Sequence, residues 1–303
     1  MLGTGTQADP YQVTTIAEFR AINSSASYYK LMNDIDAAAY NNGSWTPATL
    51  AAKEIDGDGF ALMNIYFNYV STMTNSACIY ITSAMTVKNL SIRNLLCVPF
   101  ASGSSPLLFA STNTLAVTAV NCDFQIRISD PNNYTKAIFR PENVALDTCT
   151  ISLETHSAKP IPIDFLTAVN TNFYLDVSGL TYNTGFLLMN TVTTTQAAHY
   201  MNACSIRGKI TAAANAVPNG SIAALYLASN IGLSYFAVEV ANIPAISFTG
   251  TNVANTATAV VFYDRELAPA TTFSATPSTN CFGLTTAQCK SKTYLNGIGF
   301  PVV

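Results

Sequence analysis

Cys122-Asp123-Phe124-Gln125-Ile126 is answered further along the chain by Cys149-Thr150-Ile151-Ser152-Leu153. In both, a small residue opens a short strand in which apolar and polar residues alternate. Alternation of period two sends one side chain inward and the next outward. The form small-x-apolar-x-any recurs at Leu90-Ser91-Ile92, Ser178-Gly179-Leu180-Thr181-Tyr182, Cys204-Ser205-Ile206 and Phe236-Ala237-Val238-Glu239-Val240, in steps of about 30 residues. Two apolar strands precede it in each unit. Leu107-Leu108-Phe109 and Leu115-Ala116-Val117 come before Phe124, and Phe186-Leu187-Leu188 and His199-Tyr200-Met201 come before Cys204. Three short strands per unit, parted by polar turns, predict one circuit of a solenoid.

The expected fold is all-β, a parallel β-helix (solenoid) over residues 25–275, with a turn and capping helix over 1–24 and a C-terminal cap over 276–303. Like positions in successive circuits then stack about 4.8 Å apart. This places Cys122, Cys149, Ser178 and Cys204 in one inward column, where Cys acts as a small hydrophobe. The rival antiparallel sandwich needs tight Asn-Gly or Asp-Gly hairpins at regular spacing. Those dipeptides fall near the ends and once in the middle: Asn42-Gly43, Asp56-Gly57, Asp58-Gly59, Asn219-Gly220 and Asn296-Gly297.

Composition narrows the setting. The chain has 303 residues, 49% hydrophobic and 10% charged, with a net charge of -3. A globular domain carries about 25% charged residues, so the exterior here must be largely Thr, Ser, Asn and Ala. Such a surface suits burial in a homo-oligomer, a trimer above all, or a robust extracellular or virion setting. No run approaches the roughly 20 apolar residues of a spanning helix, so no membrane insertion is expected. Lys and Arg are scattered singly, so no nucleic acid is expected as a partner. The seven cysteines are odd in number and include no CxxC, which argues against a disulfide framework. Met1-Leu2-Gly3 leads into a turn-rich segment without an apolar h-region. The expectation is a chain kept in the cytoplasm until assembly, with a processed secreted chain as the alternative.

Both ends carry capping signals. Thr15 and Glu18 form a capping box ahead of a helix reaching to about Asn23, with Ile16, Phe19 and Ile22 on one face. Thr285 and Gln288 repeat the device before Cys289-Lys290. Solenoids need such closures, because open ends expose unpaired strand edges.

The first part of the chain resembles the opening of phage and bacterial surface β-helical proteins. The resemblance rests on Gly3-Thr4-Gly5-Thr6, Asp9-Pro10-Tyr11-Gln12-Val13, the capped helix and Tyr29-Lys30-Leu31-Met32-Asn33-Asp34-Ile35-Asp36. Trp45-Thr46-Pro47, Ile55-Asp56-Gly57-Asp58-Gly59-Phe60, Leu62, Asn64 and Ile65 extend it. The ending, Leu284 to Gln288 with Tyr294 and Gly299-Phe300, is similar to the close of such repeat regions. In that family these segments form the cap and first circuits of a right-handed parallel β-helix. Adhesin-type glycine-rich repeats are missing from the middle. The resemblance therefore implies a virion part, a tail spike, fibre or capsid decoration protein, placed among other virion proteins and able to meet host surface glycan. A bacterial adhesin at the cell surface is a further alternative.

Candidate chemistry is sparse, and no cofactor is implied. Asp147 and Asp176 each stand two residues before a unit's reference position, with Asn202 alike in the next unit. Stacked, they would make an acidic ladder, and paired carboxylates hydrolyse glycosides. A glycan depolymerase is therefore the enzymatic alternative. Asp56 and Asp58 flank glycines and are the candidate calcium ligands, although the full calcium-loop pattern is missing. His156 and His199 fall at different places in their units, so no Ser–His–Asp set can be built. Arg207 and Lys209 alternate outward with no acidic partner near in sequence. Tyr28-Tyr29, Tyr66-Phe67-Asn68-Tyr69 and Tyr235-Phe236 are the candidates for exposed rings, with core stacking expected for most of them.

Overall fold

The computed structural model describes residues 1–40, 45–68, 77–98, 108–111, 115–129, 138–139, 144–156, 163–164, 167–180, 186–189, 200–212, 221–226, 234–241, 245–249, 261–267, 272–273 and 281–298. The described chain is nearly all β, and its strands pair in parallel in sheets of eight, eleven, three and five strands. Neighbours in a sheet are far apart in sequence. The eight-stranded sheet runs Tyr11–Val13, Tyr28–Leu31, Glu54–Asp56, Met85–Lys88, Val117–Val120, Val144–Asp147, Thr167–Val169 and Tyr200–Asn202. The long sheet runs in the same sense from Ile35–Asp36 through Ser91–Val98, Asp123–Ser129, Thr150–His156, Asn172–Leu180 and Cys204–Ala212 to Cys281–Leu284. The chain leaves one sheet, crosses to another, and returns beside its earlier strand, as parallel pairing requires. Pairing starts at Tyr11 and reaches Leu284, so the sheets extend past both limits of the expected 25–275 segment.

The alternation in the sequence becomes columns of buried side chains. In the eight-stranded sheet Tyr29, Ile55, Val87, Ala119, Leu146, Ala168 and Met201 stack in register and are buried. In the long sheet the column is Ile35, Leu62, Ile92, Phe124, Ile151, Phe173 and Ile206. Leu50 and Ile81 of the three-stranded sheet and Ile163 of the five-stranded sheet join the same core. Phe109, Phe124 and Phe139 meet there with ring centroids 5.7 to 6.0 Å apart.

A sharp corner joins the eight-stranded sheet to the long sheet in five successive circuits. Its residue is left-handed at Asn89, Asn121, Thr148, Asn170 and Ala203, with φ of 49 to 53°. A non-glycine residue there costs roughly 1–2 kcal/mol, least for Asn. Side-chain amides offset the cost: Asn121 Nδ2 donates to Asn89 Oδ1 at 2.8 Å, and Asn89 Nδ2 donates to Asp56 Oδ1 at 3.0 Å.

After Asn121, Thr148, Asn170 and Ala203 the next residue points inward and donates to the carbonyl two residues back. Cys122 bonds Val120 O at 3.4 Å, Cys149 bonds Asp147 O at 3.3 Å, Thr171 bonds Val169 O at 2.9 Å and Cys204 bonds Asn202 O at 3.2 Å. This column corrects the expected one, because Thr171 stands between Cys149 and Cys204. Ser178 instead lies opposite His156. The unit closed by Thr171 is short, and a hydroxyl there does the thiol's work.

The capping boxes at both ends form. Thr15 Oγ1 accepts from Glu18 N, and Glu18 Oε2 accepts from Thr15 N and Thr14 N. The Thr14 N–H is the main cause that holds the Glu18 carboxyl near pKa 2, down from 4.5. The helix covers Ile16–Arg20 only, and Ile22 is buried just beyond its end. Thr285 caps Thr286–Lys290 in the same way, with Cys289 buried beneath. Gly299 and Phe300 lie outside the described residues.

Candidate functional site: a polar shelf on the long sheet

The outward positions of the long sheet form two columns that no single strand reveals. One holds Gln125, Ser152, Tyr174 and Arg207; the other holds Arg127, Glu154, Asp176 and Lys209. The alternation of Asn172-Phe173-Tyr174-Leu175 explains the placement: Phe173 and Leu175 are buried, so Tyr174 must face out, and it is 42% exposed. Between these columns lies an open hollow of about 470 Å³, lined by Asn94, Gln125, Arg127, Ser152, Glu154, Tyr174, Asp176 and Gly208. Gly208 makes the hollow possible. It occupies an inward position with φ of 130°, and a Cβ there would strike the Leu175 carbonyl. Its register neighbours on the two adjacent strands are Leu175 and Val238.

The shelf balances its charges across strands. Arg127 Nε lies 3.0 Å from Glu154 Oε1, with side chains 63% and 57% exposed. Such an exposed pair contributes well under 1 kcal/mol to stability. Glu154 and Asp176 are in register on adjacent strands, and Lys209 follows Asp176. Like charges directly opposite repel, and the two cations flank them. Asp176, in register with Lys209, is an acid that a strand one circuit away brings beside it. The shelf offers a ring face, amides, hydroxyls and carboxylates, the groups that bind a hydroxyl-rich ligand.

The acidic candidates are not brought together. Asp147 ends a strand of the eight-stranded sheet, beside Val120 and Val169, with its Oδ1 accepting from Thr148 Oγ1 at 2.9 Å. Asp176 lies in the middle of a long-sheet strand, and its carboxylate neighbour is Glu154. Asp56 Oδ1 accepts from Asp58 N at 2.9 Å, and its Oδ2 lies 3.3 Å from Lys88 Nζ. Asp58 Oδ2 pairs with Lys30 Nζ at 3.0 Å. Both are engaged in a turn and ion pairs. Among the described residues no group of three or more His, Cys, Asp or Glu could hold a metal.

His156 Nδ1 is 3.1 Å from Ser178 Oγ on the adjacent strand, a pairing the sequence spacing hid. Among the described residues no carboxylate bonds the ring. His199, Tyr69 and the side chains of Tyr235 and Phe236 lie outside the description. Of the other expected rings, Tyr66 is exposed while Tyr29 and Phe67 are buried. Tyr174 was missed because the corner at Thr171 carries no cysteine to mark it. No described helix is long and apolar enough to cross a membrane.

No family profile matches the chain. A stretch of 102 aligned residues, 30% of this chain, is 31% identical to halomucin of Haloquadratum walsbyi. The match takes in 1% of halomucin's length. A crystal structure from Bacteroides ovatus, provisionally described as an immunoglobulin A1 protease, superposes over 98% of this chain and 90% of that one. Its TM-score is 0.49 and its identity 10%, a likeness too slight to bear on chemistry.

Proposed function

We propose that the sheets close into a right-handed parallel β-helix that serves a phage particle as an attachment part, binding host surface glycan on the shelf. The closure is supported by the rotation of the chain among parallel sheets around one shared core. The hand follows the strong preference of parallel crossovers. Tyr174 carries the binding reading. A half-exposed aromatic ring standing over an open hollow, ringed by amides and hydroxyls, is a stacking platform for a sugar. The test is binding of the full chain to immobilised bacterial surface polysaccharides. Tyr174→Ala should weaken binding at least tenfold and Tyr174→Phe should keep most of it. Equal binding by wild type and Tyr174→Ala would sink the reading.

One observation favours a second reading, a depolymerase. Glu154 and Asp176 stand in register on adjacent strands, whose backbones lie about 4.8 Å apart, and retaining glycosidases work with a closely spaced pair of carboxylates. Release of shorter fragments by wild type, abolished in Glu154→Gln and Asp176→Asn, would establish it. Binding without fragment release would leave attachment alone.

As a particle part the chain belongs in a symmetric homo-oligomer, three copies burying their charge-poor flanks. Light scattering should then give three times 32.3 kDa, and a monomer at high concentration would refute the trimer.

A further inference from the structure

We propose that Cys122 and Cys149 are a built-in oxidation site, joined by a disulfide when a small disulfide reaches them. The inference is independent of the glycan reading. The two thiols occupy the same place in consecutive circuits. Val120 pairs with Asp147 just before them and Asp123 with Thr150 just after, and Thr150 N donates to Cys122 O at 2.8 Å. Their Cα atoms are therefore one strand spacing apart, about 4.8 Å, within the window a disulfide spans. Both side chains point inward and are buried. Thr171 separates Cys149 from Cys204, so within this column the pair is unambiguous.

Access is the second observation. A polar pocket of about 400 Å³ opens directly over the corner, lined by Asn121, Cys122, Thr148 and Thr150 among others. Cys122 is the member of the pair that reaches this lining, and a small disulfide approaches from its side. The neighbouring Cys122 thiol holds the Cys149 thiol below its ordinary value. By contrast, burial pushes Cys97 and Cys204 up to about 12.

One of the two thiols, as its thiolate, attacks one sulfur of the small disulfide and expels a thiolate. The other then gives its proton to solvent and attacks the first protein sulfur, expelling the second. Two protein thiols are oxidised and one small disulfide is reduced to two thiols. The bond closes the chain between consecutive corners, a covalent staple across two strands.

The experiment uses the full chain and oxidised glutathione, followed by alkylation and peptide mass spectrometry. Two of the seven thiols should become resistant to alkylation, in one cross-linked peptide pair holding Cys122 and Cys149. Dithiothreitol should restore them, and the oxidised chain should melt at a higher temperature. Cys122→Ser and Cys149→Ser should each abolish the cross-link. Serine keeps a donor for the Val120 and Asp147 carbonyls, so both variants should retain the wild-type circular dichroism spectrum. Seven free thiols after prolonged oxidation, a bond between other cysteines, or a glutathione adduct that persists on Cys122 or Cys149 would each overturn the proposal.

Discussion

Trp45→Ala is expected to cost about 3–5 kcal/mol in urea unfolding, the range for deleting a buried large aromatic. Trp45 is the one tryptophan and is 1% exposed. Its backbone N–H donates to Tyr66 O at 2.8 Å and its Nε1 donates to Cys78 O at 2.9 Å. The ring also carries the capping helix. The Arg20 guanidinium sits 4.9 Å from its centroid and 4.4 Å from that of Tyr40, while donating to Thr46 O and Pro47 O at 2.8 and 3.3 Å. Alanine removes the wall against which Arg20 is held and leaves the Cys78 carbonyl without its indole donor. The cap and first strands should open before the rest, because stacked units touch only their neighbours. Trp45→Phe separates the two effects. It keeps a six-membered ring and loses the N–H with the pyrrole half of the indole, for about 1–3 kcal/mol. An Ala variant with the wild-type urea midpoint would refute this account.

Gly208→Ala should lose about 3 kcal/mol, more than any ordinary surface change. Two costs add there. A left-handed or otherwise positive φ penalises an L side chain by roughly 1–2 kcal/mol, and forcing an atom into a filled interior costs about 1–3 kcal/mol. Gly59→Ala is the control that divides them. Gly59 has φ of 86° and open space where its Cβ would stand, so only the conformational cost applies. If both variants lose the same stability, the contact with the Leu175 carbonyl is not what demands glycine. Any Gly208→Ala chain that folds should also show a shallower hollow and weaker glycan binding.

What could be seen in the sequence follows how local each feature is. The Thr15–Glu18 box closes within one turn of chain, so its pattern was enough to place it. The inward columns were legible wherever alternation was clean, as in Phe124-Gln125-Ile126. The register failed at one short circuit. Ser178-Gly179-Leu180 imitates the repeat, while Thr171 does the work of a cysteine without looking like one. That slip alone hid Tyr174 and set Asp176 beside Asp147 instead of Glu154. The shelf itself is made by cross-strand neighbours such as Arg127, Glu154 and Asp176, each a full circuit apart. Circuit length varies with the loops, so no fixed spacing in the sequence could have joined them.

The corner with its left-handed residue recurs in five successive circuits, from Asn89 to Ala203, and it holds the strands beside it in register. The outer face is consequently a ruler with graduations of one strand spacing, about 4.8 Å. Whatever polymer lies along it meets chemically different groups at fixed intervals, and only a repeat commensurate with those intervals can engage several at once. Loop lengths can drift over generations without moving a single graduation. Recognition can thus be rewritten one mark at a time, by exchanging an outward side chain, while the scale stays the same.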